Sequence, residues 1–159
     1  MKPVLSATDA SAAVPHGCTN LRLRQLTRRV TQHYDAQMAA AGLKTTQYSL
    51  LSAVLSMGPA RPADLAAALK MDPSTLTRNL KPLIAAGWVE TSSGSDARSR
   101  AVSITDAGRA KRSEAQRHWK AAQQSLNQTL GVPRVLALHA LIQDSLALLA
   151  PDETVEGDA

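Results

Sequence analysis

The residues best equipped for chemistry lie close together between positions 72 and 81. In the run Pro73-Ser74-Thr75-Leu76-Thr77-Arg78-Asn79-Leu80-Lys81, a helix that turns Leu76, Leu80 and Leu83 inward carries Ser74, Thr75, Arg78 and Asn79 together on its outer side. This follows because successive residues rotate by about 100°. These side chains match nucleic-acid chemistry: Arg pairs bidentately with guanine and Asn with adenine, and hydroxyls at a helix N-terminus suit base edges or phosphates. Thr77 and Lys81 lie at the margins of the same face and suit phosphate. The bland reading of these residues is a solvated helix face, and the neighbouring elements weigh against it.

A second group follows in residues 92–100, rich in Ser, Gly and Arg, which holds Asp96, Arg98 and Arg100. Trp88-Val89-Glu90-Thr91 and Ala101-Val102-Ser103-Ile104 flank it and read as the strands of a small β-hairpin. A guanidinium at a hairpin tip suits the minor groove, whose negative potential holds it without demanding a particular base, while a carboxylate fixes its rotamer. Arg98 is the candidate and Asp96 its holder. An ordinary surface loop is the bland alternative.

The elements that must position these groups are mostly helical. Leu23, Leu26, Val30, Tyr34 and Met38 recur at helical spacing and predict a long first helix ended by Gly42. A second helix starts after Thr45 or Thr46, buries Tyr48, Leu51, Val54 and Leu55, and stops at Gly58-Pro59. Pro62 at N1 and Asp64 at N3 open a third, with Leu65, Ala68 and Leu69 inside. Asp72 and Pro73 open the fourth, with Leu76, Leu80, Leu83 and Ile84 inward and Gly87 as its stop. Helix, tight turn, helix and hairpin is the predicted order. A long polar helix runs from about residue 106 to Leu130, and Gly131-Val132-Pro133 breaks it. The last helix carries Val135, Leu138, Leu141 or Ile142, Leu146 and Leu149, a stripe broad enough to seek a partner.

Composition narrows the class. The chain has 159 residues, 44% apolar and 19% charged, with no Phe, as expected of one soluble domain. No run of 18 apolar residues exists and residues 1–15 lack a continuous apolar core, so neither a membrane span nor a secretory signal is expected and the cytoplasm is the expected location. A single cysteine, Cys18, excludes an internal disulfide and zinc sites built from Cys pairs. The net charge is +5, and the first two thirds of the chain hold the positive balance while residues 151–159 carry four acids. Such a basic face favours a polyanionic partner.

The run from Leu65 to Gly108 resembles the winged helix-turn-helix of the MarR (multiple antibiotic resistance regulator) family. The resemblance rests on Asp64-Leu65-Ala66, Ser74-Thr75-Leu76-Thr77-Arg78, Leu83-x-x-x-Gly87-x-Val89, Asp96-x-Arg98 and Ile104-Thr105-x-x-Gly108, and with the flanking helices it covers residues 17–149. It implies a mainly α fold with a small β-wing: a helical dimerisation region of residues 15–42 and 106–150, and a winged helix-turn-helix DNA-binding domain of residues 43–105. Residues 1–14 are expected to be a flexible arm and 151–159 an acidic flexible tail. It further implies a homodimeric transcriptional regulator, a repressor bound to a pseudo-palindromic operator in double-stranded DNA and released by a small phenolic or carboxylate ligand. Two departures bear on the site. Arg61 offers no hydroxyl cap to the third helix and suits phosphate instead. Pro82 lies inside the recognition helix, where it removes the bond to the Arg78 carbonyl.

Other residues admit two readings. Cys18 near the start of the first helix, with Arg22 one turn later, could be a redox-sensing thiol or a small residue packed at the dimer end. Tyr48, His118 and Trp119, with Arg22, could line an effector pocket between the helical region and the winged domain, or serve as core and interface side chains. His16, His33, His118 and His139 are scattered and give no converging metal ligands, so neither metal nor cofactor is expected. His118 beside Glu114 is the sole acid–base pairing an enzyme could use, and it suits a surface contact better. The reading is therefore a non-enzymatic regulator; the alternatives are a thiol-redox regulator acting through Cys18 and a winged module that docks protein.

Overall fold

Twenty residues free of glycine and proline, Thr19–Met38, form helix α1 in the computed structural model, which describes residues 16–92 and 100–150. A 3-10 turn, Ala39–Ala41, follows, and Gly42 closes it at φ 65°, a left-handed conformation that is cheap without a Cβ. Of the predicted inner stripe, Tyr34 and Met38 are buried, but Leu23 is 53% and Leu26 38% exposed. The N-terminal half of α1 is only partly covered: Leu26 faces the ends of α5 and α6, while Leu23 stays open within the described chain.

Helix α2, Thr45–Met57, begins at Thr45 itself, with Lys44 at the N-cap. Its cap comes from another helix: the Asp35 carboxylate of α1 accepts from both the N–H and the hydroxyl of Thr45, each at 2.7 Å. Gln47 Oε1 accepts the Lys44 N–H at 2.8 Å. Tyr48, Leu50, Leu51 and Val54 are buried.

Helix α3, Pro62–Ala68, has only 7 residues and buries Leu65 and Ala66; Ala68, expected inside, is exposed at its end. Helix α4, Pro73–Ala85, buries Leu76, Leu80 and Leu83 and continues through Pro82. Ile84, also expected inside, is 39% exposed, because it sits about 100° beyond Leu83 and off the stripe. Asp72 stands at the N-cap, yet its side chain accepts no cap hydrogen bond.

Strands β1, Val89–Thr91, and β2, Val102–Ile104, pair antiparallel with Val89 opposite Ile104 and Thr91 opposite Val102. Val89, Val102 and Ile104 face the core while Glu90 faces out. Ala60, just before α3, adds an unforeseen bridge on the other edge of β2 by exchanging two backbone hydrogen bonds with Val102, at 3.1 and 2.8 Å. This clamps the hairpin base to the helix-turn-helix.

Helices α5, Asp106–Leu130, and α6, Val132–Leu148, complete the chain. Thr105 Oγ1 accepts the Gly108 N–H at 3.0 Å and donates to the Gly87 carbonyl at 2.6 Å, so one hydroxyl caps α5 and ties it to the end of α4. The predicted polar helix has a hidden inner side. Gly108, Ala115 and Ala122 are its buried residues, and their sevenfold spacing makes a stripe of small residues against which α1 and α2 pack. On α6 only Val135 is buried; Leu141, Ile142, Leu146 and Leu149 are 65%, 40%, 64% and 81% exposed. Their stripe finds no partner within the described chain. No helix among the described residues is long and apolar enough to cross a membrane.

Candidate nucleic-acid interface

The amphipathic division of α4 fixes the site. With Leu76, Leu80 and Leu83 held in the core, Ser74, Thr77, Arg78 and Lys81 are exposed and Thr75 and Asn79 half-buried. Arg78 reaches back to Thr75 Oγ1 at 3.4 Å, a long contact that leaves most of the guanidinium's donors free. The Thr77 hydroxyl donates to the Pro73 carbonyl at 2.9 Å, which leaves its oxygen available as an acceptor. The Asn79 amide lies 3.9 Å from the Met71 sulfur, so this side chain leans toward the turn before α4. Its amide oxygen is left to accept, and a bidentate contact to adenine would require the amide to swing off that sulfur.

Arg61 is differently occupied from what its sequence position suggests. Its guanidinium grips Asp64 through Nε at 2.9 Å and Nη2 at 3.2 Å. The hydrogen bond and the charge of Asp64 together raise the Arg61 pKa above its ordinary value. A fork committed in this way is not free to clamp a phosphate without releasing the carboxylate. Arg100 is exposed where the chain enters β2. Asp96 and Arg98 lie outside the described residues.

Two of the residues considered for an effector, Tyr48 and Trp119, come together. Tyr48 and Trp119 stack, with centroids 6.0 Å apart and planes at 26°, and Tyr34 lies on the far side of Trp119 at 6.4 Å. This aromatic column belongs to the core. His118 is half-buried on α5, and Glu114 accepts from Lys111 at 3.2 Å instead of from His118. Arg22 sits near the far end of α1 and donates to the His16 carbonyl at 3.1 Å. None of these four lines the apolar cavity of about 250 Å³ between α1, α5 and α6, which is walled by Leu26, Val30, Tyr34, Leu126, Val135 and Ile142.

Cys18 is exposed at the N-cap of α1, while the Arg22 guanidinium is turned toward His16. Among the described residues no three His, Cys, Asp or Glu side chains converge as metal ligands.

Sequence reasoning missed a polar joint on the inner side of α5. Arg112 Nε donates to Ser52 Oγ on α2 at 3.2 Å, its Nη1 donates to Gln116 Oε1 at 2.9 Å, and its guanidinium lies 5.6 Å from the Tyr48 ring centre. The signal was present: Gly108, Arg112, Ala115, Trp119 and Ala122 alternate by four and three, the spacing of one helix face. Glycine and alanine at three of those positions disguised the face as polar.

A helix-turn-helix whose second helix presents hydroxyl, guanidinium and ammonium groups outward, backed by a two-stranded hairpin, defines a winged-helix protein. Residues 41–99 match the sequence model of the MarR family. A Bacillus subtilis protein described as the HTH-type transcriptional regulator YwoH is 29% identical over 84 residues, 53% of this chain and 61% of that protein's length, so the chain spans about three fifths of this curated relative. The Mycobacterium tuberculosis transcriptional regulator MosR, solved in complex with DNA, superposes with a TM-score of 0.70 at 29% identity, covering 85% of this chain and all of that one. A cysteine-to-serine mutant of MarR from Escherichia coli, solved with operator DNA, gives 0.72 at 22% identity over 80% of this chain and 92% of that one, a likeness of fold. The chain is thus similar to MarR-family proteins, in sequence over residues 41–99 and in fold over most of its length.

Proposed function

We propose that this protein is a homodimeric, sequence-specific DNA-binding transcriptional regulator that represses from a pseudo-palindromic operator and is released by a small phenolic or carboxylate ligand. The observation that carries the reading is the outer face of α4, where Ser74, Thr77, Arg78 and Lys81 stand exposed on a helix locked to the core by three leucines. Two such helices related by a two-fold axis enter successive major grooves about 34 Å apart. The DNA complexes solved for MosR and MarR support the same use of the fold. Support for the dimer comes from the exposed apolar side chains of α6 and of the start of α1, which form a patch of the kind that marks an interface. The cavity between α1, α5 and α6 supports the effector reading, and its volume lies below the range of about 300–1,000 Å³ that suits drug-sized ligands, which restricts it to small molecules.

Binding assays on an operator-like duplex and on random duplex over a range of salt concentrations test the reading. Arg78→Ala relaxes sequence preference, costing about 1–3 kcal/mol on the selected duplex, whereas Lys81→Ala weakens both duplexes and reduces the salt slope by about one. If both variants bind both duplexes as the wild type does, α4 is not the reader.

A further inference from the structure

We propose that Arg112, acting through Ser52 and Tyr48, is a positioning residue that sets the half-site spacing this protein accepts; the inference rests on the DNA-binding reading above. A guanidinium on the inner side of a helix is costly unless its donors are met. Among the described residues no carboxylate pairs with Arg112. It is met instead by the Ser52 hydroxyl, the Gln116 amide oxygen and the face of Tyr48. A leucine or methionine would occupy the same stripe without that cost, so what the fork supplies is direction. It joins α5 to α2, and α2 packs in the same core as the recognition helix through Leu51, Val54, Leu76 and Leu80.

Leverage gives the joint its effect. The Thr105 cap and the close packing of Gly108 under Trp88 anchor the start of α5 to the winged lobe. Arg112 lies four residues beyond Gly108, about 6 Å along the axis, while Leu130 at the helix end lies about 33 Å beyond it. A slip of about 1 Å at Arg112 therefore becomes about 5 Å at the end of α5, where the exposed apolar residues of α6 begin. One base pair of added spacing moves a half-site by about 3.4 Å. The joint is thus placed where small errors exceed a base-pair step.

The test uses the full-length wild type to select an inverted-repeat duplex from a randomised pool, then measures affinity for that duplex, for versions with the half-sites one base pair closer or farther, and for random duplex. The wild type is expected to favour its own spacing by at least about tenfold. Arg112→Met keeps the apolar stem and loses the fork, and Arg112→Lys keeps the charge and loses the fork. Both are expected to cut the preference to about threefold or less while random-duplex affinity and the sedimentation behaviour stay within twofold of wild type. Ser52→Ala, which removes one acceptor, gives a smaller change in the same direction and decides the matter if the Arg112 variants fail to fold. Unchanged spacing preference in folded variants overturns the inference alone, as does an equal loss on selected and random duplex. A wild type that selects no duplex overturns the DNA-binding reading and this inference with it.

Discussion

Replacing Gly108 by alanine is the most direct probe of how the wing is joined to the rest of the molecule. On an exposed helix the change stabilises by about 1 kcal/mol, because alanine loses less backbone freedom. Here a Cβ at position 108 would stand 2.0 Å from the Trp88 carbonyl oxygen, 2.8 Å from Ile104 Cγ1 and 2.9 Å from the Trp88 carbonyl carbon. A carbon tolerates a carbonyl oxygen at about 3.3 Å, so α5 and the loop before β1 must separate by more than 1 Å. That separation pulls on the Thr105 hydroxyl, which donates to Gly87 at 2.6 Å, and on the Thr105 N–H bond to Trp88 at 3.1 Å. Overpacking of this kind costs about 1–3 kcal/mol, and each strained hydrogen bond about 1 kcal/mol more. Set against the helix-propensity gain, the net loss is about 2–4 kcal/mol. Urea unfolding at fixed protein concentration, followed by tryptophan fluorescence, reads it out, since Trp88 reports directly on the joint. A midpoint equal to or above that of the wild type would refute the packing argument, because it would mean the joint opens without cost.

Two further outcomes follow from burial. Leu146→Glu on α6 is expected to weaken self-association by about 10²–10⁴-fold in equilibrium sedimentation, because a two-fold interface loses the burial of two leucines at about 1.5–3 kcal/mol each; a variant that associates as the wild type does would remove α6 from the interface. Burial raises the Tyr34 pKa above 10.0, so the folded state holds this proton more tightly than the unfolded one. The associated stability is full below pH 10 and falls as pH rises through the folded value. Tyr34→Phe deletes the hydrogen bond to Gln123 and costs about 1 kcal/mol near neutrality, and its unfolding midpoint should approach that of the wild type above pH 10. A gap that stays constant with pH would refute this.

The helices that bury large aliphatic side chains were legible because their periodicity is strong. Leu76, Leu80 and Leu83 announce α4, and the outer face follows by rotation. Val102 and Ile104 mark a strand for the same reason. What escaped were features made by small or polar residues across long distances in sequence. The bridge from Ala60 to Val102 uses only backbone groups, so no side-chain pattern marks it. The cap on α2 comes from Asp35, ten residues upstream on another helix, and a search for local caps stops at Thr45. Ile84 and Ala68 were counted inward because they are apolar, though helix geometry turns them out. On α1 and α6 periodicity marks an apolar stripe, and the breadth of the α6 stripe already points to a partner for it.

That last point connects the two ends of the molecule. The winged lobe is well covered: Leu76, Leu80 and Leu83 of α4 close into one core with α2, the hairpin, Met38 of α1 and Ala115 of α5, which holds the α4 face outward. The opposite end has its large side chains, Leu136, Leu141, Leu146 and Leu149, more than half exposed, a state that a second copy would relieve. Between them run α5, one unbroken helix, and two polar joints on α2, from Asp35 and from Arg112. Apolar packing tolerates small sliding, whereas hydrogen bonds with fixed donors and acceptors do not. Directional contacts at the joint and non-directional ones at the far end allow association to be strong without leaving the angle of the reading helix to chance. On the effector reading proposed above, a ligand that shifted α1 against α5 by a fraction of an ångström would change the spacing between the two α4 helices without touching α4.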